Sequence, residues 1–315
     1  MAKTDLTKSL LARFDRLKGQ RQNWETHWQE VADYMQPRKA DVTKQRARGD
    51  KRMEQVFDSS PIQAVELLAA SLHGMLTNPS TPWFTLRFKD EEIENEDEAK
   101  LWLEASTDAM YTAFNRSNFQ QEIFELYHDL ITFGTAAMHI QEDNEDILKF
   151  STRHINEIFI AENDKGRIDT VYRKFKLSVR AAIQQFGDAI STDIKAQEKK
   201  DPYNEVEILH AVYPRKDFNP KLKDTDNMPF ESVYVEYKNG NELSVSGFQE
   251  FPFVVPRYLK ASHEIYGRSP AMTALPDVKM LNEMSKTTIK AAQKQVDPPL
   301  LVPDDGFLLP VRTVP

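Results

Sequence analysis

The chain has 315 residues, of which 40% are apolar and 29% charged, and its formal net charge is −8. It has no cysteines, which excludes disulfides, thiolate metal sites and cysteine nucleophiles. An acidic chain does not grip nucleic acid over its whole surface, and this one lacks both a membrane-spanning apolar run and a signal peptide. These properties predict a globular protein that contacts no membrane and stays in the cytosol or assembles there into something larger.

The N-terminal region is predicted to be helical. Apolar residues recur at helical spacing over residues 5–35, which predicts a long helix with one packing stripe. A capping residue at Asp58, followed by Pro61, is typical of a second helix start, and this helix should end at Asn78. The basic residues 37–52 connect the two helices. No aromatic residues interleave there for base stacking, so a solvated loop is favoured over a nucleic acid contact.

A strand and two further helices are predicted next. Residues 81–88 have the composition of a strand. The acidic run 90–98 suits the start of a helix that reaches about residue 115, because carboxylates are favourable at a helix N-terminus. A fourth helix is expected at about residues 120–132.

After residue 132 the sequence changes to short segments in which apolar and polar residues alternate. The predicted strands are 136–141, 148–152, 158–161, 168–177, 206–213, 233–237 and 243–245. Hairpin-type turns are indicated at 163–166 and 238–240, and one short helix at 178–186. Helices followed by strands and then by a last helix indicate an α+β fold rather than alternating α/β.

The chain offers little catalytic chemistry. It has no glycine-rich phosphate-binding loop, no nucleophile elbow and no two histidines at helical metal-ligand spacing. A lone histidine is more often a structural residue than a ligand, so no catalytic residue, metal site or cofactor is predicted. Asp304 and Asp305 beside Gly306 are more typical of a turn than of a metal site.

The last predicted helix is the most informative element. Ser269 and Pro270 can cap and start it, and it should extend for roughly 40 Å to about Val296, at about 1.5 Å per residue. At about 100° per residue its lysines fall on one face; these are Lys279, Lys286, Lys290 and Lys294. The side chains on the opposite face are mostly small or flexible, which suits close packing against another helix. A solvated lysine face remains an alternative to a face that touches a polyanion.

Three segments towards the C-terminus carry recognisable motifs. The first is Tyr266, Gly267, Arg268, Ser269 and Pro270; the second is the block 275–282, which contains Asp277; the third contains Asp297, Pro298 and Pro299. Together they resemble the signature of the head-to-tail connector, or portal, proteins of short-tailed bacteriophages. Residues 24–37, 76–84 and 133–138 are similar to further blocks of that family, in the same order. The resemblance therefore spreads over most of the chain. Family members are usually longer, and the proline-rich segment from residue 297 stops in mid-pattern, so we expect the chain to be a fragment.

The resemblance implies a non-enzymatic ring, normally of twelve subunits, at one capsid vertex. It implies a wing in residues 1–265 (helical over 1–132, β-rich over 133–265), a stem helix in 266–296 and the start of the clip in 297–315. The implied partners are further copies of the chain, double-stranded DNA, the terminase large subunit, tail or adaptor proteins, and the major capsid and scaffolding proteins. The implied location is the virion, after assembly in the host cytoplasm.

Two alternatives remain open from the sequence. One is the non-catalytic part of a phage nucleic-acid-processing enzyme whose active site lies beyond Pro315. The other is a different adaptor or scaffold protein of the virion. The mass of the purified assembly discriminates between these hypotheses, since a closed ring of about twelve copies would support the connector function.

Overall fold

The computed structural model describes residues 2–44, 46–47, 49–89, 96–219, 221–222 and 224–298. Its helices are α1 (Ala2–Met35), α2 (Ser60–Leu76), α3 (Asp97–Arg116), α4 (Phe119–Phe133), α5 (Val179–Phe186), α6 (Thr192–Glu198) and α7 (Pro270–Val296). Its strands are β1 (Ala137–Asp143), β2 (Ile147–Arg153), β3 (Ile158–Glu162), β4 (Ile168–Ser178), β5 (Glu205–Pro214), β6 (Phe230–Glu236), β7 (Glu242–Phe248) and β8 (Phe253–Val254). In the described part of the chain, none of the helices combines the length and apolar character that crossing a bilayer requires.

Helix α1 joins the helical and β-rich parts. Near its start, Leu10 and Phe14 are buried against the five-stranded sheet, and near its end Trp28 and Val31 belong to the main core with Phe133 of α4. This long stripe of apolar residues explains why α1 is helical over its full length, since each turn has a surface to pack against.

Arg21 fixes α1 to the start of β3. Its side chain is only 2% exposed and pairs with Glu25 at 2.7 Å. Its guanidinium also lies 3.6 Å from the ring centroid of Phe159. It donates hydrogen bonds to three main-chain carbonyl oxygens, those of Ile155, Asn156 and Ile158. A buried charge of this kind is stable because its donors are all directed at acceptors.

The strands form two antiparallel sheets. Three strands lie in the order β2-β1-β8, and five in the order β3-β4-β5-β6-β7. Strand β5 is buried at every position from Ile208 to Tyr213 because both of its faces are covered. Leu209 on one face packs with Phe14 of α1, whereas Ile208 on the other packs beside α5 and α6. Helices beside two antiparallel sheets, followed by a long last helix, confirm the predicted α+β class.

Three local predictions need correction. Residues 81–88 were expected to be a strand, but they pair with no strand among the described residues, because side chains of α3 take up one backbone edge. Helix α6 was not predicted, because Ile194 is its only apolar residue apart from Ala196 and no helical period is visible. The two-residue strand β8 was also not predicted. In the acidic run, Asp97 and Glu98 occupy the first turn of α3 as expected, while residues 90–95 lie outside the described residues.

Candidate functional site

The base of α7 is a close crossing of two backbone segments at Gly134 and Gly267. Gly134 ends α4 in the left-handed conformation, with φ at +74°. A Cβ atom added to either glycine would lie closer than 3.0 Å to the carbonyl oxygen of the other. The main-chain N–H of Gly267 donates to the side-chain oxygen of Thr135 at 2.8 Å. Two of the sequence blocks, 133–138 and 266–270, therefore meet in space.

Ser269, Pro270 and Tyr266 fix where α7 begins. The Ser269 hydroxyl accepts from the N–H of Met272 at 3.0 Å and donates to the carbonyl of Thr132 at 2.9 Å. It thus caps α7 and links it to α4, while Pro270 occupies the first helical turn as predicted. Tyr266 is buried, with its ring centroid 5.1 Å from that of Trp28 on α1. These residues set the direction in which α7 leaves the body.

Arg268 lies at the surface beside this base. Its guanidinium makes two hydrogen bonds to Glu264, at 2.5 and 3.0 Å, and lies 4.9 Å from the ring centroid of Trp24 on α1. Its hydrogen bonds lower the pKa of Glu264 below the usual range. At the surface, Arg268 therefore links α1 to the loop that enters α7.

The remaining signature positions have fewer contacts. Asp277 is exposed on α7. Asp297 ends α7, with its N–H donating to the carbonyl of Gln293 at 3.0 Å, and Pro298 is exposed beyond it. Pro299 lies outside the described residues, as does the rest of the predicted clip start.

Asn282 tethers the middle of α7 to the loop before α2. Its side-chain oxygen accepts from the N–H groups of Phe57 and Asp58 at 2.7 and 3.3 Å, and its amide nitrogen donates to the carbonyl of Gln55 at 3.0 Å. It is only 6% exposed, although neighbouring positions of α7 face solvent. Asn282 is the last residue of the signature block 275–282, but the sequence predicted no contact for it, since it lies next to the lysine face and resembles any polar surface residue there.

Replacing Asn282 by alanine is expected to lower the free energy of unfolding by about 2 kcal/mol, because three hydrogen bonds to main-chain groups are lost. The local effect should be larger than the global one. Amide hydrogen exchange at Phe57 and in the middle of α7 should accelerate, whereas exchange in β5 should change only with global stability. An Asn282→Ala protein with unaltered exchange at Phe57 would show that the tether is not formed in solution.

The predicted lysine face is divided between two environments. Lys279 forms an ion pair with Glu30 of α1. Lys286 pairs with Glu283 at 3.1 Å and lies 5.8 Å from the ring centroid of Phe57. These two lysines are therefore on the side of α7 that faces its own subunit, and each has an acidic neighbour. The sequence pattern placed these lysines on one face of α7 but could not show which neighbouring element that face contacts.

Lys290 and Lys294 lie further along α7, where the helix has left the body. Every residue from Thr287 to Val296 is exposed. Within the described part of the chain, neither of these two lysines has an acidic partner. They are the lysines of the stripe whose charge is available to an external anion.

The face opposite the lysines is apolar and exposed. Leu281 and Met284 on this face are 42% and 59% exposed. A helix that extends into water without packing is marginal on its own, so this face is suited to a helical or other apolar partner. That this face packs closely against another element stays a prediction.

Most of the described basic residues in the range 37–52 make contacts inside the chain. Lys39 pairs with the buried Asp129 of α4 at 2.7 Å, and Lys44 pairs with Asp33 of α1 at 2.9 Å. Arg52 pairs with Asp41 at 2.6 Å. These ion pairs hold the loop against α1 and α4, which further weakens its interpretation as a nucleic acid contact.

Two buried histidines, one on each sheet, lie next to each other rather than in an open site. His139 of β1 and His210 of β5 have ring centroids 6.1 Å apart, and His210 shares a 2.9 Å hydrogen bond with Ser232. Burial lowers the pKa of His139 to about 3, so it is neutral in the fold. No group of three or more metal-ligating side chains occurs among the described residues.

The comparison with protein families identifies the chain. The family described as "Bacteriophage head to tail connecting protein" matches residues 7–315. The chain belongs to this connector family. The match includes the glycine crossing, the capped start of α7 and the tethered part of α7, so the resemblance drawn from the sequence blocks is confirmed.

Two curated relatives of this connector chain are portal proteins. The chain is 32% identical to a protein named "Probable portal protein" from Bordetella phage BPP-1, over 100% of its own length and 58% of the relative's. It is also 32% identical to the "Portal protein" of Salmonella phage epsilon15, over 96% of its length and 55% of the relative's. The chain thus spans a little more than half the length of these relatives.

Proposed function

We propose that this chain is the portal subunit, or the N-terminal part of one, and that about twelve copies form a ring at one vertex of a phage capsid. The observation that carries the proposal is the family match over residues 7–315, together with two portal proteins that are 32% identical across nearly the whole chain. The exposed apolar face of α7 supports assembly, since it needs a partner that the described chain does not supply. The role is non-enzymatic.

The ring provides the channel through which double-stranded DNA is packaged and later released. It binds the terminase large subunit during packaging and tail or adaptor proteins afterwards, and it is surrounded by major capsid and scaffolding proteins. It assembles in the host cytoplasm and remains in the virion. We assign residues 1–265 to the wing, 266–296 to the stem helix and 297–315 to the start of the clip.

The lysines of α7 are the proposed contacts with DNA. We propose that Lys279, Lys286, Lys290 and Lys294 line or border the channel, and that Lys290 and Lys294 make the stronger contacts because no described acidic group neutralises them. Lysine touches phosphate as a point charge without reading sequence. Each chain has a net charge of −8, so the channel wall outside this lysine face does not attract DNA strongly. The DNA can therefore move through the channel in both directions.

Reversing both charges tests this role. In the Lys290→Glu and Lys294→Glu double variant, we expect rings of normal mass but heads that package or retain less DNA, because two attractive contacts per subunit become repulsive. Quantifying nuclease-protected DNA per head gives the measurement. Wild-type amounts of DNA in heads built with this variant would contradict the lysine contact.

A matched control is available in two hairpin turns. Lys165 and Lys238 are exposed, and converting both to glutamate changes the net charge by the same amount as the α7 variant. Packaging should be unaffected by this control. If wild-type chains form no ring of any size, the proposed function itself is contradicted.

A further inference from the structure

Two buried histidine rings form part of the contact between the two sheets. His139 of β1 is 4% exposed, His210 of β5 is 2% exposed, and their ring centroids lie 6.1 Å apart. His139 stacks on Phe253 of β8 at 4.5 Å, and His210 stacks on Tyr234 of β6 at 3.9 Å. Each ring therefore packs against an aromatic ring of its own sheet and lies next to the histidine of the other sheet.

Strand register places two arginines beside these histidines. In β4, Arg173 is directly opposite His210. In β2, Arg153 lies two residues from Ser151, which is opposite His139, so Arg153 and His139 share one face of their sheet. The Nε atom of Arg153 is buried and has no hydrogen bond partner among the described residues. Four basic side chains thus gather at one place between the sheets, which we call the histidine contact.

The acidic groups near the histidine contact already have partners. The Glu157 carboxylate pairs with Arg173 at 2.8 Å. The Glu122 carboxylate lies near Arg153 and accepts the N–H of Thr152 at 2.5 Å. Neither carboxylate is therefore free to pair with an additional positive charge.

Both histidines are neutral in this contact. Burial lowers the pKa of His139 to about 3, and the charges of Arg153 and Arg173 add to the effect. Burial also holds the pKa of His210 well below its usual range, and His139 and both arginines lower it further. Burial raises the pKa of Tyr234, so the phenol stacked on His210 supplies no negative charge. A proton on either histidine would place a further positive charge beside two guanidinium groups in a buried site.

We propose that the histidine contact is an acid-sensitive switch, in which protonation of the two histidines opens the contact between β1 and β8 on one side and β5 and β6 on the other. No described main-chain hydrogen bond joins these two pairs of strands, so side-chain packing holds them together. The opening is local, because α1 packs in both parts of the body and Arg21 fixes it to the start of β3. It requires one chain only and does not rest on the proposed ring.

The pH range of the opening follows from proton linkage. An exposed histidine has a pKa of about 6.5. Above that pH the histidines are neutral whether the contact is closed or open, so protons favour neither state. Well below it, the exposed histidines of the open state bind protons and the buried ones do not. The equilibrium constant for opening should therefore rise about tenfold per pH unit for each histidine, and about a hundredfold for both. The rise ends as the pH approaches the lowered pKa of His139.

A single introduced thiol measures this opening, because the chain has no cysteine. Ser232 is 1% exposed and its hydroxyl lies 2.9 Å from the Nε2 atom of His210, so Ser232→Cys places a thiol inside the contact. Its rate of reaction with an aromatic disulfide reagent, divided by the rate in the unfolded chain at the same pH, gives the equilibrium constant for opening. Between about pH 5.5 and pH 4.5 this constant should rise about a hundredfold. A constant that does not change with pH would overturn the proposal.

A thiol on the other face of β5 separates local opening from global unfolding. Ala211 is 1% exposed, like Ser232, but it packs on the side of α1. The thiol of Ala211→Cys should react far more slowly than that of Ser232→Cys at the same acidic pH. If the two thiols had equal opening constants, acid would be unfolding the whole chain, and the proposal would be wrong.

Two substitutions made in the Ser232→Cys protein identify the histidines. His139→Phe keeps a ring that can stack on Phe253 and removes the titratable group, and the Nε2 atom that is lost has no described hydrogen bond partner. The rise in the opening constant should fall from about a hundredfold to about tenfold per pH unit. His263→Gln removes an exposed histidine and should leave the hundredfold rise unchanged. An unchanged rise in His139→Phe would overturn the proposal. If His139→Phe does not fold, the contrast between the thiols at positions 232 and 211 decides the matter by itself.

Discussion

Replacing Gly267 by alanine is expected to lower the free energy of unfolding by about 3 kcal/mol, because overpacking at a site that cannot relax has costs of this order. The added methyl group would lie closer than 3.0 Å to the carbonyl oxygen of Gly134, and it would also crowd the Cβ of Arg257. Both neighbours are held by main-chain contacts, so neither can move without displacing α4 or the loop that enters α7. Chemical denaturation of the purified protein measures the loss.

Gly19 provides the matched control. It lies on the exposed side of α1, and an added Cβ there would meet nothing within 4 Å. Gly19→Ala should raise stability by about 0.5–1 kcal/mol through the better helix propensity of alanine. If Gly267→Ala were as stable as the wild type, the close crossing at the base of α7 would not exist in solution.

Replacing Arg21 by methionine is expected to cost about 3–5 kcal/mol, the usual range when one partner of a buried charged network is removed. The substitution retains much of the side-chain volume but removes every hydrogen bond donor. It leaves Glu25 without its ion pair and removes a donor from each of three carbonyl oxygens before and at the start of β3. The loss should be visible as a lower Tm and as faster amide exchange in β3 than in β6.

Arg16→Met isolates the effect of burial. Arg16 lies on α1 five residues earlier, is exposed, and loses the same charge on substitution. Stability should change by no more than about 0.5 kcal/mol, as for most surface positions. The Arg21→Lys variant should also be less stable than the wild type. A single ammonium group cannot reproduce the planar set of guanidinium N–H donors that bonds to several carbonyl oxygens. Equal effects at Arg16 and Arg21 would contradict the role of the buried network.

Periodicity predicted the main elements because their residues pack against something. The helices α1, α2, α4 and α7 and the strands β4 to β6 all have an apolar face in the core, and their patterns follow from it. Helix α6 was not predicted because its single buried isoleucine, Ile194, leaves no period to detect. Residues 82–88 have a strand pattern, but the pattern cannot show whether a second strand lies beside it.

The candidate site was predictable only in part, for a similar physical reason. Ser269 and Pro270 are local signals, and they fixed the start of α7 within the sequence itself. The role of Gly267 depends on the carbonyl of Gly134 and the hydroxyl of Thr135, both over 130 residues away. The role of Asn282 depends on main-chain groups over 220 residues away. The same holds for Lys279, whose ion pair with Glu30 joins positions 249 residues apart. A pattern along one helix records spacing, not which neighbour each face meets.

The last ten residues of α7 extend beyond its described tethers to the body, which end near Lys286. At about 1.5 Å per residue, this free end is about 15 Å long, and a rotation of about 5° where the tethers end would displace Val296 by roughly 1.3 Å. In the proposed ring, the position of the far end of each helix would therefore depend on the Asn282 tether as well as on the glycine crossing at the base. A substitution that releases the tether would lengthen the free arm towards the full helix length of about 40 Å and so enlarge the displacement that the same rotation produces.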